Sequence, residues 1–439
     1  MNQITTINLG FLSPYRVLLI SCAIYFALLP LVPLDVHFPL SLEAIVFWMV
    51  CFGSYLFGLF ISSGNQTEIE VNYFYLDQKK LSNFIFWLVM IGFFGAILQI
   101  IEKFVFRGVS VDMNALEQRT VLEHTQSSLF SVVAAVFGSV GLLSFINILS
   151  SELGQVHFSR KLKIFSMISA VLSLWISIQL GSRTLVLVLF MTYLLVWVAR
   201  ARRFGRRLTV SKMLILGTLV ILLAVGFAWM MILRLELMRL SITDSVLLST
   251  YAYTITPENY ILDSMESYPQ LAVLFGALFS LLQYVFHGIY EFGLLFDSFS
   301  GEHELGNQVL WLPVKFVSSL LGKDFSVGFF ENYGVREGIF TTFVGPYFID
   351  FGWLSPIPLF LTGFLFGLPY RLLIQGEIQW LPTVTLIATI CVLWPIVNIL
   401  ISATGMYLLA VSLVIGFVGK RAFLNTSQAP QKELDIGLM

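Results

Sequence analysis

Charge is what this sequence has least of. Only 12% of its 439 residues are Asp, Glu, Lys or Arg, about half the usual share of a soluble domain, whereas 57% are apolar. A chain so poor in charge cannot be water-soluble throughout. Its net charge of -1 offers no basic surface to nucleic acid, and its five histidines are scattered, so no metal cluster is expected. The three cysteines, Cys22, Cys51 and Cys391, all fall inside apolar runs, where they read as small core residues and not as a disulfide framework. No convincing internal repeat is present. The first apolar run begins near Arg16 and is followed by more, without a secretory cleavage site, so the N-terminus is expected to be retained.

What is there is a series of apolar blocks, each long enough as a helix to cross about 30 Å of hydrocarbon. Spans are expected at 16–34, 41–62, 82–102, 127–149, 164–181, 183–199, 211–233, 353–372, 379–399 and 404–420. The fold class is therefore an all-α polytopic membrane protein of about 10 transmembrane helices. Orientation follows the arginines and lysines. Arg200, Arg202, Arg203, Arg206, Arg207 and Lys212, with Arg160, Lys161 and Lys163, belong on the cytoplasmic side. Counting crossings from them puts both termini inside, along with Lys79, Lys80, Arg371, Lys420 and Arg421.

Residues 1–233 thus form a bundle of seven spans, 234–352 a large external segment, 353–421 a bundle of three spans, and 422–439 a disordered cytoplasmic tail. Within the external segment, Leu271 to Phe286 is apolar enough to enter a bilayer. A crossing there would expel Lys420 and Arg421, so a re-entrant or amphipathic helix is expected. Irregular chain at membrane depth is tolerated only where protein or a water-filled cavity covers it, which implies a cavity on the outer side.

The span centres carry almost no ionisable residues, which counts against an ion-coupled transporter. Charges gather instead at the outer boundary, as Arg183 in Gly181-Ser182-Arg183-Thr184 and as Arg234, Glu236 and Arg239. A guanidinium stays charged and offers parallel donors to phosphate oxygens, so Arg183, Arg234 and Arg239 are the candidate diphosphate ligands. The alternative is that Arg183 caps a hairpin while the other two snorkel. Arg234 and Arg239 stand about 140° apart on an ideal helix and cannot share one phosphate while the helix continues.

Gly276, Ser280, Gln283, His287 and Glu291 recur every three or four residues, forming a small and polar face on a greasy helix. That face lines the expected cavity, or else floats at the interface. His287 or Glu291 is the candidate general base for an attacking hydroxyl. His303 reads as a solvated loop residue. Tyr290 and its aromatic neighbours suit sugar rings or an interfacial belt. Further along, Asn332, Arg336, Thr342 and Asp350 converge on one membrane edge, with Gly338 and Gly352 allowing tight turns. Asp350 either caps the next helix or pairs with Arg336. Asp350-Phe351-Gly352 matches a kinase triplet, but no nucleotide loop accompanies it.

The Gly181-Ser182-Arg183-Thr184 run, the large external loop, and Gly338-x-x-Thr341-Thr342-x4-Tyr347-x2-Asp350-Phe351-Gly352 before a glycine-rich span together resemble the Wzy-type O-antigen polymerases. The resemblance implies a GT-C-like glycosyltransferase of the bacterial inner membrane that needs no cofactor, metal or nucleotide sugar. It would join undecaprenyl-diphosphate-linked oligosaccharides on the outer face, releasing undecaprenyl diphosphate. The implied partners are membrane lipids and a chain-length-regulating co-polymerase. An O-antigen ligase shares that chemistry with another acceptor. A lipid-linked oligosaccharide flippase would want polar groups deep in its helices, and a purely structural subunit has no need of clustered outer arginines.

Overall fold

A computed structural model describes residues 4–72, 78–110, 113, 117, 118, 121, 129–154, 158–179, 183–203, 217, 218, 242–314, 321 and 339–423. The long helices form where the apolar runs stand. In chain order the helices are α1 (Pro14–Leu28), α2 (Leu42–Ser63), α3 (Gln78–Ile100), α4 (Leu129–Ser151), α5 (Arg160–Gln179) and α6 (Arg183–Arg203). They continue with α7 (Ile242–Leu247), α8 (Asn259–Ser267), α9 (Pro269–Ser298), α10 (Gly345–Phe351), α11 (Pro356–Ile374), α12 (Leu381–Leu393) and α13 (Ala403–Phe423). Among the described residues, eight helices are long and apolar enough to cross a membrane. Large apolar side chains such as Ile20, Met49, Phe57 and Leu365 face outward, as lipid contact requires. The chain is a helical multi-pass membrane protein. The expected span 211–233 lies outside the described residues.

No strand is expected from the apolar runs, yet two short antiparallel pairs clip the bundle. β1 (Ile4–Asn8) pairs with β3 (Glu68–Asn72), and β2 (Leu34–Val36) pairs with β4 (Ile255–Pro257). Each joins segments just outside helix ends, so the pairs mark opposite ends of the molecule. At the β1–β3 end, Ile7, Leu9, Leu153, Ala199, Tyr370 and Trp380 form one buried cluster. Glu152 there pairs with Lys163 and with Arg200 (2.6 Å), and Lys420 pairs with Glu377 (2.6 Å). Lys163, Arg200 and Lys420, expected on one side of the membrane, therefore do share one end of the bundle.

Packing is closest where glycines let backbones touch, the small-residue packing of membrane helices. A Cβ on Gly58 of α2 would overlap the Phe360 carbonyl of α11. One on Gly363 would overlap the Tyr55 carbonyl, and one a turn later, on Gly367, the Ser62 hydroxyl. Both helices ascend through these contacts, so α2 and α11 are parallel. Gly92 and Gly95 of α3 meet Gly141 and Phe137 of α4 in the antiparallel sense.

Helix α12 ends at Leu393, short of the expected 379–399. Pro395 explains this: it has no N–H, and its ring denies the carbonyl four residues back its donor. That orphaned carbonyl, Cys391 O, accepts instead from the Ser21 hydroxyl of α1 at 3.0 Å. The irregular chain beyond it is satisfied by protein. Phe343 N–H donates to Trp394 O (3.0 Å), Asn398 Oδ1 accepts from Leu400 N–H (3.0 Å), and Trp311 Nε1–H donates to Ile401 O (2.6 Å).

Candidate functional site

The decisive element is α9, a single continuous helix of 30 residues in place of the shorter re-entrant segment expected at Leu271–Phe286. Its partners are α2, α7, α8, α10 and β4, elements gathered at the β2–β4 end. Phe292 stacks near Phe47 in the second turn of α2, Phe286 meets Tyr25 near the end of α1, and Asp297 accepts from Ser41 at 2.7 Å. Toward its start, Ala272 and Phe279 pack with Val246 of α7 and Met265 of α8, with Leu34 alongside. Although it meets the length and composition of a span, α9 keeps to this end along its described length.

Its polarity is inverted relative to an interfacial helix. Ser280, Gln283, His287 and Glu291 are all buried, whereas Leu274, Leu278 and Leu281 are exposed. A polar face turned into protein with an apolar face turned outward overturns the floating-helix alternative, because that arrangement needs the polar side wet.

Gln283 anchors the site. Its Nε2 donates to Ile255 O (2.9 Å) and Val246 O (3.2 Å), and its Oε1 accepts from Ser249 (3.2 Å). The Gln283 carbonyl lies 2.9 Å from His287 Nδ1. A carbonyl only accepts, so Nδ1 carries the proton and a neutral imidazole holds its lone pair on Nε2. One turn on, Glu291 Oε1 accepts from Thr254 Oγ1 at 2.9 Å. Gly288 between them is required by close approach: a Cβ there would come within 2.6 Å of Ile396 O. The ring of Tyr251 sits 4.2 Å from that of His287, with Tyr284 at 6.1 Å and Phe340 at 6.5 Å. Tyr284 reaches Thr184 in the first turn of α6, at 3.0 Å between hydroxyl oxygens. The residue beside Arg183 is thus tied to the helix that carries His287.

Thr342 lies against this floor, bridged to Val397, at φ +60°. A buried β-branched residue in the left-handed region is strained by roughly 1–3 kcal/mol, and such strain concentrates at functional sites. Asp350 stands apart. It caps no part of α11, whose N-cap is Ser355. Its carboxylate accepts from the backbone N–H groups of Gln308 (2.8 Å) and Val309 (2.7 Å), pinning that turn to α10. Burial pushes its carboxyl up to about 6, against the lowering effect of those hydrogen bonds, with Glu304 adding a further rise. Tyr290 is half-buried against the core. His303 is an exposed residue whose Nδ1 donates to Ile349 O at 3.1 Å.

The structure thus gathers His287, Glu291 and Thr342 with the start of α6, and sets Asp350 in a neighbouring turn. Arg234, Arg239, Asn332 and Arg336 lie outside the described residues. Sequence reasoning names Tyr251 among the aromatics suited to sugar rings or an interfacial belt and Thr184 within the motif of Arg183, but it misses Thr254 and the contacts of all three with α9, because no local spacing signals them. Comparison with protein-family models, with curated proteins and with solved structures finds no match.

Proposed function

We propose that the protein is a GT-C-like membrane glycosyltransferase of the Wzy polymerase type, acting at the β2–β4 end on the outer face of a bacterial inner membrane. The observation that carries this reading is the inverted helix α9, which buries His287 and Glu291 beneath an aromatic cluster beside the start of α6. The reaction joins two undecaprenyl-diphosphate-linked oligosaccharides. A hydroxyl of one repeat unit attacks the anomeric carbon of the other chain, a new C–O bond forms, and the bond to the diphosphate breaks with its electron pair. Undecaprenyl diphosphate leaves, and the hydroxyl proton passes to His287 Nε2. Tyr251 and Tyr284 offer faces to sugar rings. Arg183, with Arg234 and Arg239, neutralises the charge that develops on the departing diphosphate. Inversion at the anomeric carbon is the outcome of this single displacement.

The test is a reconstitution. Purified protein is incubated with a lipid-linked repeat unit of the host's own glycan, and products are separated by gel. A ladder spaced by one repeat unit, lost in His287→Ala and in Arg183→Ala while both variants stay folded, is the expected result. Movement of the lipid across proteoliposomes with no ladder would replace this reading by a flippase, and transfer only to a lipid A core would replace it by a ligase.

A further inference from the structure

At the opposite, β1–β3 end, the parallel helices α2 and α11 finish side by side around a cavity of about 470 Å³ lined by Ser63, Asn65, Gln66, Arg371 and Gln375, among others. None of these residues belongs to the site built around α9. Two of them are unusual for a membrane-edge cavity. Ser63 is only 2% exposed, yet its Oγ has no hydrogen-bond partner among the described residues. Arg371 is an exposed cation with no ion pair among the described residues.

Two features define what would fit. A guanidinium on the cavity wall suits phosphate oxygens. The helix ends add the opposite requirement, since each helix C-terminus carries a partial negative charge of about half a unit and carbonyls seeking donors. In α11 the final carbonyls are closed by Gln375, Gly376 and Glu377 N–H groups. In α2 the chain departs at Gly64 with φ +68° and no capping N–H among the described residues. Phosphate alone would satisfy the guanidinium and meet repulsion from those carbonyls. A phosphate ester that also carries an ammonium satisfies both.

The lipid-facing surface continues to the rim, where Phe57, Phe60 and Ile61 are exposed on the last turns of α2. We infer that this cavity binds the headgroup of a phosphoethanolamine lipid, with Arg371 on the phosphate and the α2 carbonyls receiving the ammonium.

The full-length protein in nanodiscs containing equal phosphatidylethanolamine, phosphatidylglycerol and phosphatidylcholine would be ejected into a native mass spectrometer and its retained lipids counted. Phosphatidylethanolamine should be retained over phosphatidylcholine, whose trimethylated ammonium has no N–H, by about tenfold. Arg371→Ala should cut retention of phosphatidylethanolamine at least tenfold, and Arg371→Lys should restore part of it, with unfolding temperatures checking that each variant is folded. Equal retention of the three lipids by the wild type, or undiminished retention of phosphatidylethanolamine by Arg371→Ala, would overturn the assignment. Saturable binding of free phosphoethanolamine without retention of the intact lipid would overturn the lipid source and leave a soluble phosphate ester as ligand.

Discussion

Replacing Gln283 by Met isolates the anchor from the chemistry. The side chain is fully buried and joins three groups: the carbonyls of Val246 and Ile255, and the Ser249 hydroxyl. Methionine fills a similar volume and offers no N–H, so two carbonyls and a hydroxyl lose their partner inside protein. Each unsatisfied group costs about 1–3 kcal/mol, and the hydroxyl can rotate toward Val246 O, which it already approaches at 3.3 Å. A loss of about 2–5 kcal/mol is expected. It should be local, because the Gln283 backbone carbonyl and its bond to His287 are untouched. Hydrogen exchange read by mass spectrometry should therefore show residues 246–257 losing protection while α2 and α11 keep theirs. Glycan ladders should shorten as the Thr254 contact to Glu291 loosens. Unchanged exchange in 246–257 would refute the view that Gln283 holds this segment against α9.

Asp350 should make stability depend on pH. Its carboxyl is raised from about 4 to about 6 by burial, so between these values the folded state binds more protons than the unfolded state. Stability is then highest below about pH 4, falls as pH rises to about 6, and is flat above, a span of about 3 kcal/mol that Asp350→Asn should erase from a plot of melting temperature against pH. Topology is checked with single added cysteines, since the native three are buried. Leu305 is exposed beside Asp350, and Lys80 stands in the first turn of α3, just after β3; in intact cells a membrane-impermeant maleimide should label Leu305→Cys and spare Lys80→Cys, and labelling of both from outside would refute placement of these two at opposite ends.

The helices are legible in the sequence because membrane spans obey a local rule of length and apolarity, and the glycines of α3 and α4 do not disturb it. The stripe from Gly276 to Glu291 is equally legible as a helical face. Its direction is not, since a polar stripe reads the same whether it meets water or protein, and only the exposed Leu274, Leu278 and Leu281 decide. Pro395 is enough to shorten the span at 379–399, because the hydrogen bond that it cannot donate belongs to the preceding turn. The Ser21 hydroxyl that repairs the resulting defect lies 370 positions away in sequence and carries no signal there. Asp350 sits where a cap for the next helix would stand, yet its carboxylate serves a turn some forty positions earlier in the chain, a pairing that no local pattern marks.

The inverted polarity of α9 and the sharing of one end by the basic residues have a common cause. A helix that buries amide, imidazole and carboxylate groups must find their partners in protein, and α9 finds them in Val246, Ile255, Ser249 and Thr254. All four precede it by a short stretch of chain held beside β2 by strand pairing, so the helix is bound to the end where that strand lies. The end of α9 is held there too, where Asp297 accepts from Ser41, and α11 begins on the same side, in parallel contact with α2 through Gly58 and Gly363. Helix α11 then carries Arg371 and Glu377, the latter paired with Lys420, to the end of the bundle where Ile7 and Leu9 lie.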